Sequence, residues 1–170
     1  YRDMLVVARK IISLDSNNAK AYYMQAVLAA RAGEYELASR ILPKAGSNFA
    51  QMPAAMLLNA ICAYELGNYN KAVDHLQQLL GQQPRNRRVR ILLAQAQYRA
   101  GDPLGALDTI REIAARPDAD SYSLMLTARA FEASDQPLRA ITPLDDAALA
   151  VVRPALPRPE PISLEAAARE

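Results

Sequence analysis

Residues 63–76 read Ala63-Tyr-Glu-Leu-Gly-Asn-Tyr-Asn-Lys-Ala-Val-Asp-His-Leu76, the pattern of a helix that stops and restarts. Gly67 and Asn68 are poor helix-interior residues, yet apolar positions at helical spacing run up to them and resume at once. Beyond the break, Tyr69, Ala72, Val73, Leu76, Leu79 and Leu80 fall at i, i+3, i+4, i+7, i+10 and i+11, one apolar face of an α-helix. Gly81 and Pro84 end that helix, because glycine suits a C-cap and proline cannot continue the ladder. The preceding helix, roughly residues 54–66, carries Met56, Ala60, Ala63 and Tyr64. The stretch therefore predicts two antiparallel helices joined by a tight turn.

The same pattern returns at a fixed step of 34 residues. Gly33 lies one step upstream of Gly67, Gly101 one step downstream, and Asp135 one further. Ala38, Ala72, Ala106 and Ala140 keep the step, as do Ala26, Ala60, Ala94 and Ala128, where two helix axes must approach closely. Self-similarity at this period is the mark of a helical repeat array. Each hairpin buries one stripe internally and leaves another for the next unit to cover.

These residues resemble the tetratricopeptide repeat family, whose 34-residue unit has a large apolar residue at position 4, a small one at 8, Gly near 15, Tyr at 17, Ala at 20 and Pro at 32. Position 4 is Tyr22, Met56, Arg90 and Leu124; position 17 is Tyr35, Tyr69, Pro103 and Pro137; only Pro84 matches position 32. Pro103 and Pro137 fall near a first helical turn, where proline is tolerated, whereas Pro143 predicts a kink or early break. The resemblance implies an all-α, right-handed α-solenoid of antiparallel helix pairs over residues 1–152, with a half-repeat at 1–18 and repeats at about 19–52, 53–86, 87–120 and 121–152. Tyr1 falls at position 17 and Ser16 where proline usually sits, so the chain is expected to be a piece of a longer protein. Residues 153–170 form a proline-rich tail, extended through Pro161, then able to make a short helix with Ser163 as N-cap.

Composition is compatible with a slim solenoid: 51% of residues are apolar and only 6% aromatic. Arginine outnumbers lysine and alanine is abundant, a bias that points to a GC-rich bacterial genome. No run approaches the roughly 20 apolar residues needed to span a bilayer, and a net charge of +2 gives no global attraction to nucleic acid. Cys62 is alone, which excludes a disulfide framework, and lies mid-helix as a buried small hydrophobe. His75 is the single histidine and has no partner for a metal. Asp145 and Asp146 are adjacent and diverge on a helix. No catalytic constellation and no cofactor loop is legible, and the chain is read as a non-enzyme.

What remains is surface. The resemblance implies that first helices line a concave groove through positions 2, 5, 6, 9, 12 and 13. Carried over, the groove holds Lys20, Tyr23, Met24, Val27 and Arg31, then Leu57, Leu58, Ile61 and Glu65. Arg88, Ile91, Leu92, Gln95 and Arg99 follow, then Tyr122, Met125, Leu126 and Arg129. The candidate partner-binding residues are Tyr23, Val27, Arg31, Glu65, Arg88, Gln95, Arg99, Tyr122 and Arg129. A row of arginines beside tyrosines suits a peptide of acidic character, since the guanidinium fork matches carboxylates. The family's carboxylate clamp is missing, because its lysine and two asparagines are replaced by Tyr23, Val27 and Leu58. Arg85-Asn-Arg-Arg-Val-Arg90 is the densest charge cluster. It sits unfavourably at a helix start and has no stacking aromatic for nucleic acid, so a solvated face or an acidic protein partner is expected. Two functions follow: a scaffold binding a peptide or partner subunit in the groove, or a non-catalytic arm of a larger enzyme.

Overall fold

A computed structural model describes residues 2–135 together with Arg139 and Pro143. Among them the chain is helical, without strands. Helix α1 (Arg2–Leu14) precedes the pair α2 (Ala19–Arg31) and α3 (Tyr35–Ile41). A 3-10 turn (Leu42–Ala45) and the short α4 (Ser47–Ala50) lead to the pair α5 (Pro53–Glu65) and α6 (Tyr69–Gln82). The pair α7 (Arg87–Arg99) and α8 (Pro103–Ala114) follows, then α9 (Ser121–Ala133). Consecutive helices pack on one another, and each first helix also touches the first helix of the next unit, α2 on α5 and α7 on α9. That contact pattern is a solenoid. The fourth unit's second helix, with Ala140 and the kink expected at Pro143, lies largely outside the described residues, as does the 153–170 tail.

The break in the opening stretch is a repeated turn. The N–H groups of Glu34, Asn68 and Asp102 donate to Ala29, Ala63 and Gln97 carbonyls at 3.0, 2.8 and 2.9 Å. The preceding residues Gly33, Gly67 and Gly101 have φ of 80°, 75° and 84°. This six-to-one closure with a left-handed residue satisfies carbonyls that the helix end leaves free. Asp135 holds the fourth place at φ 58°, a conformation Asp tolerates better than most residues. Helix starts are capped by side chains. Asn18, Asn86, Asp102 and Asp120 accept from Ala21, Val89, Gly105 and Ser123 amides at 3.0, 3.2, 2.8 and 2.9 Å.

The alanines at the 34-residue step are buried where helices pack. Ala26, Ala38, Ala72, Ala94, Ala106 and Ala128 are fully buried, and Ala60 is 1% exposed. Larger residues fill the space beside them in layers, each shared between a hairpin and the next first helix. One such layer joins Met56, Leu76 and Leu79 of the second hairpin to Val89 and Leu93 of α7.

Candidate functional site

The four arginines expected on the concave face, Arg31, Arg88, Arg99 and Arg129, are all exposed. None makes an ion pair among the described residues, and the carboxylates of Glu65 and Glu132 pair with none of them. Helix spacing puts Arg88, Leu92, Gln95 and Arg99 on one stripe of α7, and Tyr122, Met125 and Arg129 on one stripe of α9.

The middle of this surface is the most organised. A cavity of about 120 Å³ opens between α5 and α7, lined by Ala60, Ile61, Tyr64, Glu65, Leu76, Leu92 and Gln95. The Gln95 side-chain amide donates to the Tyr64 hydroxyl at 2.8 Å. Tyr64 packs edge-on against Tyr69, ring centroids 5.3 Å apart. The Tyr64 phenol first, and Tyr69 and Tyr122 more weakly, hold the Arg99 guanidinium pKa above its ordinary value. Burial pushes the Tyr122 phenol up, against the lowering pull of Arg99 and Arg129. Gln95, Arg99, Tyr122 and Glu65 are thus grouped around Tyr64. That tyrosine is missing from the sequence-derived set, although it occupies position 12 of its unit, a groove position, and its spacing was the signal.

Other expected groove residues are placed differently. Tyr23 is half-buried, its ring 5.8 Å from that of Phe49 on α4, and with Val27 it packs against the first core layer. Leu58 and Leu126 are buried, 9% and 6% exposed, and serve the core because helix stripes overlap. Lys20 and Met24 line a separate apolar cavity against α1, together with Met4, Val7 and Ile11.

The arginine cluster is divided between two tasks. Arg87 reaches across to the entry of α9, 3.0 Å from Asp120 and 3.6 Å from Asp118. Arg90, standing where the family places an apolar residue, pairs with Glu112 of α8 and donates to the Pro84 carbonyl at 3.0 Å. Arg88 stays exposed. Asn86 caps the helix start, and Asp118 and Asp120 bring negative charge to Arg87 near that end. Cys62 is 1% exposed, and burial pushes its thiol pKa up, which makes it a poor nucleophile. No helix among the described residues is long and apolar enough to cross a membrane.

Comparison with known proteins agrees with this architecture. Residues 1–79 match the family model described as anaphase-promoting complex, cyclosome, subunit 3, and residues 63–130 match a tetratricopeptide repeat model. A solved structure of MamA from MSR-1 superposes with a TM-score of 0.78 at 16% identity, covering 88% of this chain and 86% of that one. MamA from AMB-1 gives 0.76 at 16% identity, over 98% and 86%. A tetratricopeptide repeat protein from Parabacteroides merdae gives 0.58 at 18% identity, over 84% of this chain and 56% of that one. Identities this low speak to fold. No curated protein sequence gives a significant match.

Proposed function

We propose that this chain, similar over residues 63–130 to the tetratricopeptide repeat model, is a non-catalytic scaffold whose concave face holds an extended or helical peptide segment of acidic character. The general role, a protein-interaction module, is what the match to the tetratricopeptide repeat model supports. The specific face is supported by one observation above others: Arg31, Arg88, Arg99 and Arg129 are exposed without carboxylate partners among the described residues. Arg87 and Arg90, from the same cluster as Arg88, are consumed in ion pairs between helices. Surface guanidinium groups left free beside tyrosines suit carboxylates, which they bind through paired N–H donors.

The test is an affinity capture from cells that make this protein, run with the wild type and with Arg88→Ala/Arg99→Ala. The double variant should keep its helical circular dichroism, since exposed substitutions usually change stability by less than about 0.5 kcal/mol. It should lose the captured partner, and raising salt should weaken wild-type capture, because exposed charges are screened beyond about 8–10 Å at physiological ionic strength. A partner held equally by both proteins at all salt concentrations moves the site off this face.

A further inference from the structure

The tyrosine–arginine group beside the small cavity carries more than general acidity. The Tyr64 oxygen accepts from Gln95 at 2.8 Å, and the Arg99 guanidinium interacts electrostatically with the same phenol. Its own O–H has no acceptor among the described residues. Neither does the Tyr122 hydroxyl, and among the described residues the Arg99 guanidinium pairs with no carboxylate. The Arg99 guanidinium and the two phenol O–H groups offer donors, and donors of this kind take an oxyanion. Directly beside them, Ile61, Leu76 and Leu92 wall a cavity of about 120 Å³. That is smaller than the ~150 Å³ that admits a benzene ring, so a branched aliphatic side chain suits it better than an aromatic one. Glu65 on the same wall disfavours a carboxylate inside the cavity itself, which orders the two halves of the ligand.

We propose that this place is a two-part anchor for a peptide: an aliphatic side chain seats between α5 and α7, and a carboxylate one or two residues away is held by Arg99, Tyr64 and Tyr122. The inference rests on the concave-face reading above and narrows it from an acidic segment to an aliphatic–acidic pair. Packing of Tyr64 on Tyr69 and its bond to Gln95 pre-orient the phenol, so little ordering is left for binding to supply.

A display selection of random nonapeptides on the protein as it stands tests the anchor and the wider reading separately. The expected pool is enriched in Leu, Ile or Val followed within two residues by Asp or Glu. The strongest selected peptide should bind Arg99→Gln about tenfold more weakly, as loss of a charged hydrogen bond implies, and should lose a similar factor when its acid is replaced by the amide. Because Arg99 is exposed, this variant tests recognition rather than folding. An acidic pool with no aliphatic preference overturns the anchor and leaves the concave-face reading standing. A pool without acidic enrichment, or no enrichment at all, overturns both. Binding indifferent to Arg99→Gln overturns the anchor whatever the pool contains.

Discussion

The first and second hairpins begin alike and end differently. Both turn on a left-handed glycine, Gly33 or Gly67, and both press a fully buried alanine, Ala38 or Ala72, against the partner helix. Yet α6 runs 14 residues while α3 stops after 7. One step of 34 explains it: Gln77 in α6 corresponds to Pro43. Proline has no N–H to donate, so the α-helical hydrogen-bond ladder is interrupted at that place, although Leu42 before it keeps helical angles. The chain answers with a 3-10 turn and a left-handed Gly46 at φ 89°. The core survives the break, because Leu42 and Ala45 are buried at the places that Leu76 and Leu79 fill in the second hairpin. Repeat register, the comparison teaches, is held by the turn and a few buried positions rather than by an unbroken helix.

The largest effect should come from importing the break. Gln77→Pro in α6 should cost about 3 kcal/mol or more, read from urea unfolding. The mirror change Pro43→Gln should not lower stability, since it removes no hydrogen bond. If Gln77→Pro is tolerated like Pro43, the difference between hairpins has another cause.

Next comes the shared contact. Ala72→Leu should cost roughly 1–3 kcal/mol by overpacking, with Ala38→Leu similar or smaller, because the shortened α3 has more freedom to adjust. A control at exposed Lys71 should stay within about 0.5 kcal/mol. Equal losses at Lys71 and Ala72 would put the register wrong. At the turn, Gly67→Ala forces a side chain into the left-handed region and should cost about 1–2 kcal/mol, with Gly33→Ala close to it if the two turns are equivalent.

A subtler difference lies between helix entries. Described residues place no ion pair between the first and second units, whereas Arg87 at the start of α7 reaches Asp120, the N-cap of α9. Burial raises the Asp120 pKa, but the Ser123 amide and hydroxyl and the Arg87 guanidinium outweigh it, and the carboxyl stays below its ordinary value. A depressed folded pKa means stability present above the unfolded value of about 3.9 and lost as pH falls through the folded one. Asp120→Ala should therefore cost about 1 kcal/mol near neutrality, mostly as a lost cap, and the gap from wild type should narrow in acid unfolding below pH 4. A gap that is flat with pH removes the charge contribution.

The sequence determined most of the solenoid by itself. The 34-residue step, the turn glycines and the buried alanines are local or periodic signals, and each lies where its spacing places it. Arg31, Arg88, Arg99 and Arg129 were also legible, because a surface position on a helix follows from register alone. Other features depend on which neighbour arrives beside a residue. Tyr23 carried the same groove position as its counterparts, but Phe49 from the broken end of the first hairpin sits against its ring. Leu58 and Leu126 read as groove and became core, since the stripe facing the groove borders the one facing the next unit. Arg90 broke the apolar pattern and was resolved by Glu112, 22 residues away on another helix. The grouping of Tyr64, Gln95 and Arg99 likewise joins two helices across a unit boundary. Periodicity fixes where a side chain stands on its own helix. Only packing decides what it meets there, because that depends on distances between helices that no single segment encodes.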